Sequence, residues 1–236
     1  MGNLGFILIG AGDVLIAGRH STGTLAAISI ATAITSCIMT FGVSLISATS
    51  PVLSNYRGEG VQAKKYFFPT LVFSQILAFI VMCVILAATP LIDALKFPQE
   101  LVPMIKQYMI ISAFATFGGF LHIAVKEFLQ AFEIVFIPNL VTVFSVFLNI
   151  ILNLILVFGF WKIPSLGAVG LAIASLLVRY FMGFVLLGYC FLIMKFRNHY
   201  EVIPYYKNLI KVGLPISFAV FIEFIAFNGV SVLMGR

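Results

Sequence analysis

The 236-residue chain is 62% hydrophobic and 9% charged, and its mean hydropathy is +1.15. A soluble domain of this size needs far more polar surface, so the composition excludes one and predicts a polytopic membrane protein. The net charge of +6 therefore indicates basic loops beside a membrane, with lipid as a partner, rather than a nucleic-acid partner.

Seven apolar segments follow one another, most of them near or above the length of about 20 residues that crosses a bilayer as a helix. They predict an all-α fold with membrane helices at 4–18, 24–48, 67–90, 105–125, 136–159, 168–194 and 209–234. The first segment is short, because about 15 residues reach only about 22 Å against roughly 30 Å of hydrocarbon. We expect either that part of this helix is missing before Met1 or that it is half-buried in protein.

The first segment carries an acid, Asp13, after Gly10-Ala11-Gly12. An ionised carboxylate at the centre of a membrane helix costs roughly 2.5–3.5 kcal/mol. Asp13 must therefore face a packed or watery interior and find partners there. It is the residue around which a functional site is predicted.

Polar groups recur along the fifth segment at every fourth position, at Ser145, Asn149 and Asn153, so they share one helix face. Asparagine amides supply carbonyl oxygens and N–H donors. This face is suited either to hold a cation beside a carboxylate or to hydrogen-bond a neighbouring helix. The first interpretation also gives Asp13 the neighbours it needs.

Two further charges lie within apolar runs. Arg179 is about eleven residues into the sixth segment, where it must pair with an interior carboxylate or snorkel to an interface. Glu223, in the seventh segment after Gly213-Leu214-Pro215, is the only other acid deep in an apolar run. Arg179 is thus a possible charge partner of Asp13, and Glu223 is a candidate for a second acid site.

Basic residues are unevenly distributed among the loops. The stretch from Ser50 to Tyr66 is predicted to be a basic turn. Loops after even-numbered segments carry Arg57, Lys64, Lys65, Lys126, Lys195, Arg197, Lys207 and Lys211, whereas loops after odd-numbered segments carry Arg19, Lys96, Lys106 and Lys162. The excess predicts that the even loops and the N-terminus are cytoplasmic, in the plasma (inner) membrane.

The run Leu15–Arg19 is similar in sequence to Val232–Arg236, six helices later. Tandem six-helix repeats are one plan of membrane transporters. Together with the short first helix, this similarity predicts that the chain contains one six-helix repeat and the first helix of a second repeat. We expect such a chain to be incomplete and not to transport on its own, and we expect its seventh helix to lie at the edge of a compact six-helix lobe.

Several of these motifs, in order along the whole chain, resemble the multidrug and toxic compound extrusion (MATE) family. They are the run Asp13 to Arg19, Leu25-Ala26-Ala27, Asn55-Tyr56-Arg57-Gly58-Glu59-Gly60, Asn149 with Asn153, Gly167-Ala168-Val169-Gly170, and Gly213-Leu214-Pro215 leading to Glu223. The resemblance implies a twelve-helix, two-lobe fold of which this chain is a part. Residues 1–194 would be the N-lobe, 195–208 a cytoplasmic linker, and 209–236 the first helix of the C-lobe.

The resemblance also implies a function, which is an antiporter that exports amphipathic cationic drugs or toxic compounds in exchange for Na⁺ or H⁺. Asp13 would be the first-helix acid of the cation site, Asn149 and Asn153 its fifth-helix polar pair, and Glu223 the first-helix acid of the C-lobe. Some members have an acid where this chain has Asn153. One carboxylate with two amides therefore leaves Na⁺ at Asp13 and proton coupling both open, and no other cofactor is implied.

Two other functions fit parts of the sequence. A lipid-linked oligosaccharide flippase of the same superfold would line its cavity with several basic residues, and only Arg179 qualifies here. Gly10-Ala11-Gly12-Asp13 matches the GxGD motif of intramembrane aspartyl proteases, which need a second, facing aspartate. The only other deep acid is Glu223, so the sequence predicts a transporter and not an enzyme.

Overall fold

The computed structural model describes residues 4–95, 97–160, 164–194 and 202–234. These residues are almost entirely helical. The eight α-helices are α1 (Leu4–His20), α2 (Thr22–Ser47), α3 (Thr49–Gly58), α4 (Phe67–Ala88), α5 (Val102–Ala131), α6 (Phe136–Phe158), α7 (Gly167–Ile193) and α8 (Val202–Met234). Two 3₁₀ helices, Ala63–Tyr66 and Thr89–Leu95, extend α4 at its two ends.

Each predicted segment corresponds to one long helix, which confirms the predicted all-α membrane fold. Among the described residues, five helical stretches are long and apolar enough to cross a membrane: Thr22–Gly58, Ala63–Leu95, Val102–Ala131, Phe136–Phe158 and Gly167–Ile193. Helix α1 has 17 residues, as short as the sequence predicts. The protein is therefore a multi-pass membrane protein.

The prediction of a turn from Ser50 to Tyr66 is wrong, because most of this stretch forms α3 and the following 3₁₀ helix. Pro51 lies in the first turn of α3, where a missing N–H breaks no helical hydrogen bond. Val52 and Leu53 are buried, so one face of α3 packs on the lobe although its composition is polar. After α3, Gly60 has a φ of +77°, which lets the chain turn back towards α4.

Helix α5 lies at the centre, in contact with α2, α3, α4 and α7. Its contact with α7 depends on Gly118, because a Cβ at that position would lie 2.7 Å from the backbone nitrogen of Tyr180. Helix α7 approaches α6 in the same way, and a Cβ at Gly170 would lie 2.6 Å from the carbonyl oxygen of Leu156. Small residues at crossings are typical of helices that pack inside a bilayer.

One end of the lobe, here called the basic end, joins α3, the turn between α5 and α6, and the start of α8. Arg57 Nη1 donates a hydrogen bond to the carbonyl oxygen of Ala131, and Asn208 Nδ2 donates to Tyr56 OH at 2.6 Å. The opposite end carries the ion pair of Lys106 with Asp93 at 2.6 Å. The turn between α5 and α6, α3 and the start of α8 thus share one end, although Lys126, which was expected in a loop, lies buried in α5. The orientation in the cell stays a prediction.

Helix α8 lies along α2 and α3. It begins at Val202, inside the predicted linker 195–208, whose first seven positions lie outside the described residues. Tyr205 is fully buried and its hydroxyl lies 2.6 Å from Thr70 Oγ1. A Cβ at Gly213 would lie 2.9 Å from the carbonyl oxygen of Leu45, so this glycine allows α8 to approach α2 closely. The predicted domain boundaries themselves stay a prediction.

Candidate cation site

Asp13 lies inside the lobe, where α1 meets α6 and α7, and is only 5% exposed. Asn153 Nδ2 donates a hydrogen bond to one carboxylate oxygen at 2.6 Å, and Ser175 Oγ donates to the other at 2.8 Å. Each oxygen therefore has a donor from a different helix. These hydrogen bonds offset part of the cost of removing the carboxylate from water.

The polar face of α6 is turned towards Asp13. Asn149 and Asn153 are fully buried, and Asn153 Nδ2 also donates to Asn149 Oδ1 at 3.0 Å. Gly12 of α1 lies next to this face, and a Cβ at that position would be in ordinary contact, 3.9 Å from Asn149 Oδ1. The opposite face of α6 exposes Phe144, Phe147, Ile151 and Leu154. The sequence prediction that the two amides face Asp13 rather than lipid is thus confirmed, whereas their role as ion ligands stays a prediction.

Two buried amide atoms next to Asp13, Asn149 Nδ2 and Asn153 Oδ1, have no hydrogen-bond partner among the described residues, and neither has Ser145 Oγ further along the same face of α6. An unpaired buried amide oxygen is costly unless something binds it. Together with the carboxylate and the Ser175 hydroxyl, the two amide oxygens form a set of hard oxygen donors. Such a set fits Na⁺, and the lone carboxylate equally fits a proton.

Arg179 lies one helical turn after Ser175 on α7 and is partly buried. It is close enough to Asp13 and Tyr108 to interact electrostatically with both. Its guanidinium forms no ion pair within 4 Å among the described residues, and its Nη1 lies 3.5 Å from Met39 Sδ. The predicted partnership with Asp13 is therefore a longer-range attraction rather than a direct ion pair.

Glu223 lies on α8, and its side chain is exposed. It takes no part in the hydrogen-bonded group around Asp13. The structure therefore brings together Asp13, Asn149 and Asn153 and leaves Glu223 outside this group. Its assignment to a second acid site stays a prediction.

Ser175 is the member of the site that sequence reasoning missed. A single hydroxyl in the run Ala172-Ile173-Ala174-Ser175 gives no periodic pattern. The available signal was its spacing of four residues from Arg179, which puts both on one face of α7. Only the packing of α7 against α1 identifies that face as the one next to Asp13.

Comparison with known proteins agrees with this architecture. The sequence model of the MatE family matches residues 1–155. The chain is 26% identical over 241 residues to a probable multidrug resistance protein NorM of Bacillus cereus, and the match covers 95% of the chain and 52% of that protein. It is 27% identical over 244 residues to a probable NorM of Rhizobium meliloti, covering 97% and 51% respectively. The chain thus spans about half the length of the curated relatives it matches.

Solved structures share the fold. A eukaryotic MATE transporter superposes with a TM-score of 0.86 at 16% identity, over 99% of this chain and 53% of that one. An inward-facing multidrug resistance MATE family transporter superposes with a TM-score of 0.78 at 21% identity, over 96% and 52% respectively. The family model covers well over half of the sequence, and the lobe has the corresponding architecture. This chain belongs to the MatE family.

Proposed function

We propose that this chain forms the N-terminal lobe of a transporter that exports small amphipathic cations in exchange for Na⁺ or H⁺, with Asp13 as the ion site. The observation that carries the proposal is the buried Asp13 carboxylate, which accepts hydrogen bonds from the Asn153 amide of α6 and the Ser175 hydroxyl of α7. The names of the relatives, probable multidrug resistance proteins, support the class of cargo. They give no support to the alternative of an oligosaccharide flippase.

Coupling requires only that the ion bind one arrangement of the transporter better than another. Asp13 is held by hydrogen bonds from two other helices, so an ion or proton on its carboxylate changes contacts of α1, α6 and α7 together. An incoming Na⁺ would recruit the unpaired Asn153 oxygen, whereas a proton would compete with the two donors for the carboxylate oxygens. Both routes connect charge at one residue to the packing of three helices.

The test is substitution Asp13→Asn in the full-length protein, expressed in a drug-sensitive bacterium. Asparagine has nearly the same shape but carries no charge, so we expect normal expression and loss of resistance to a cationic dye. Everted vesicles energised separately with a pH gradient or a Na⁺ gradient would show which ion drives efflux in the wild type.

The matched control is Asp93→Asn, which removes an exposed carboxylate paired with Lys106 at the opposite end from the basic one. We expect this variant to retain resistance and gradient-driven efflux. Normal efflux in the Asp13→Asn variant would show that Asp13 is not the coupling site.

A further inference from the structure

A pocket of about 350 Å³ opens at the basic end of the lobe, between α3 and the start of α4. It is lined by the basic side chains of Arg57, Lys64 and Lys65 and by the ring of Phe132. The pocket is separate from the ion site, which lies between α1, α6 and α7. Three cations around one concave surface favour an anionic group as its occupant.

The charge of the pocket resides in its two lysines. The Arg57 guanidinium forms an ion pair with the Glu133 carboxylate at 3.5 Å. It also lies over the Phe132 ring, 5.2 Å from the ring centre. Lys64 is exposed, and Lys65 is partly buried with its ammonium 5.2 Å from the centre of the Tyr66 ring.

Neither lysine has a carboxylate within 4 Å among the described residues. Glu59 is the nearest acid along the chain, and its carboxylate accepts a hydrogen bond from Asn55 at 3.5 Å. The charges of Arg57 and Glu133 neutralise each other. Lys64 and Lys65 therefore remain as two positive charges without a counter-ion among the described residues.

Beyond the pocket, α4 presents an exposed apolar face. Phe68, Val72 and Ile76 recur at intervals of four residues on α4, so they share one helix face, and all three are exposed. A groove of about 450 Å³ is lined by Val72, Ile76 and Phe79. With a rise of about 1.5 Å per residue, this groove lies about 12–22 Å along the helix from Lys64. The hydrocarbon of one leaflet is about 15 Å thick, so a lipid with its headgroup at Lys64 would have its acyl chain at the level of the groove.

We propose that the pocket and the groove together bind one anionic phospholipid. Its phosphate would lie between Lys64 and Lys65, and an acyl chain would lie along Val72, Ile76 and Phe79. A basic pocket at the end of membrane helices is suited to an anionic headgroup. The exposed apolar face and groove of the same helix favour a lipid over a free phosphate or an acidic peptide, since neither of those would use them.

The test uses the purified chain in detergent, titrated with dioleoyl phosphatidylglycerol and, separately, with dioleoyl phosphatidylcholine. Native mass spectrometry counts the bound lipids and gives their apparent dissociation constants. We expect phosphatidylglycerol to bind at least about tenfold more tightly than phosphatidylcholine, and the double substitution Lys64→Gln, Lys65→Gln to remove about tenfold or more of that affinity. The charge-retaining Lys64→Arg, Lys65→Arg variant should keep it.

The matched control is Lys207→Gln, Lys211→Gln, which removes two exposed charges at the same end but outside the pocket. It should bind phosphatidylglycerol as the wild type does, and millimolar inorganic phosphate should not displace the lipid. The circular dichroism and melting temperature of each variant in phosphatidylcholine establish that it is folded. The proposal would be overturned if the wild type bound the two lipids with equal affinity or if phosphate displaced the lipid. It would also be overturned if the Lys207→Gln, Lys211→Gln variant lost as much phosphatidylglycerol affinity as the Lys64→Gln, Lys65→Gln variant, or if the arginine variant lost that affinity.

Discussion

At the scale of single residues, the site depends on hydrogen bonds between residues far apart in the sequence. Asp13 is reached by Asn153 from α6 and by Ser175 from α7. Ser175 donates its hydroxyl hydrogen to the carboxylate. Under the proposed function its oxygen would also be a ligand of the bound ion, so this uncharged residue would contribute to the site with and without the ion.

We predict that Ser175→Ala in the full-length protein weakens ion binding without abolishing it. A hydrogen bond or ligand to a charged group contributes about 1.5–3 kcal/mol, so the ion concentration that half-saturates efflux should rise about tenfold or more. The measurement is the rate of dye efflux in vesicles against the concentration of the coupling ion. Ser29→Ala, which removes an exposed hydroxyl of α2, is the control and should leave the curve unchanged. An unchanged curve for Ser175→Ala would remove Ser175 from the site.

At the scale of helices, α7 fixes the site because it packs closely on both α5 and α6. Gly118 and Gly170 face backbone atoms of the neighbouring helix, which cannot yield as the end of a side chain can. Ser175 lies on α7 between Gly170, which faces Leu156 of α6, and Tyr180, which Gly118 of α5 faces. The position of its hydroxyl near Asp13 therefore depends on how closely these helices approach one another.

We predict that Gly118→Ala destabilises the lobe by about 1–3 kcal/mol, because the new methyl group would lie 2.7 Å from the backbone nitrogen of Tyr180. Gly188→Ala is the matched control, since a Cβ at Gly188 on α7 has nothing within 4 Å. That variant should be neutral or up to about 1 kcal/mol more stable. Thermal unfolding of the purified chain in detergent would compare them, and equal melting temperatures would show that the α5–α7 crossing is looser than described.

At the scale of the whole molecule, α8 leaves large apolar side chains and one acid uncovered. Phe218 is 55% exposed and Ile222 is 65% exposed, and the neighbouring Glu223 is exposed as well. In the two-lobe transporter that we propose, a second lobe would cover these surfaces.

We therefore predict that the 236-residue chain does not transport when it is purified and reconstituted alone. Proteoliposomes with an imposed Na⁺ or H⁺ gradient should show no gradient-driven movement of a fluorescent cation. A curated relative of about twice this length, the probable NorM of Bacillus cereus, in vesicles of the same lipid is the positive control. Robust transport by the chain alone would mean that one lobe, or an assembly of copies of it, forms a complete pathway.

The sequence determined the helices and the pairing of Asp13 with α6. A bilayer requires long apolar helices, so hydropathy locates them, and a buried carboxylate requires polar partners, which identifies the Asn149 and Asn153 face. The helical character of α3 and the start of α8 at Val202 were not predicted, because α3 is polar and the start of α8 is interrupted by Pro204, Lys207 and Asn208, so neither forms a continuous apolar run.

Only the tertiary structure decided which part of α7 meets Asp13. Ser175 donates directly to the carboxylate, whereas Arg179, one turn later, does not pair with it. The rotation and depth of α7 relative to α1 set this difference, and close glycine contacts with α5 and α6 fix both. No local pattern contains that information, because the contacts join residues that are far apart in the sequence.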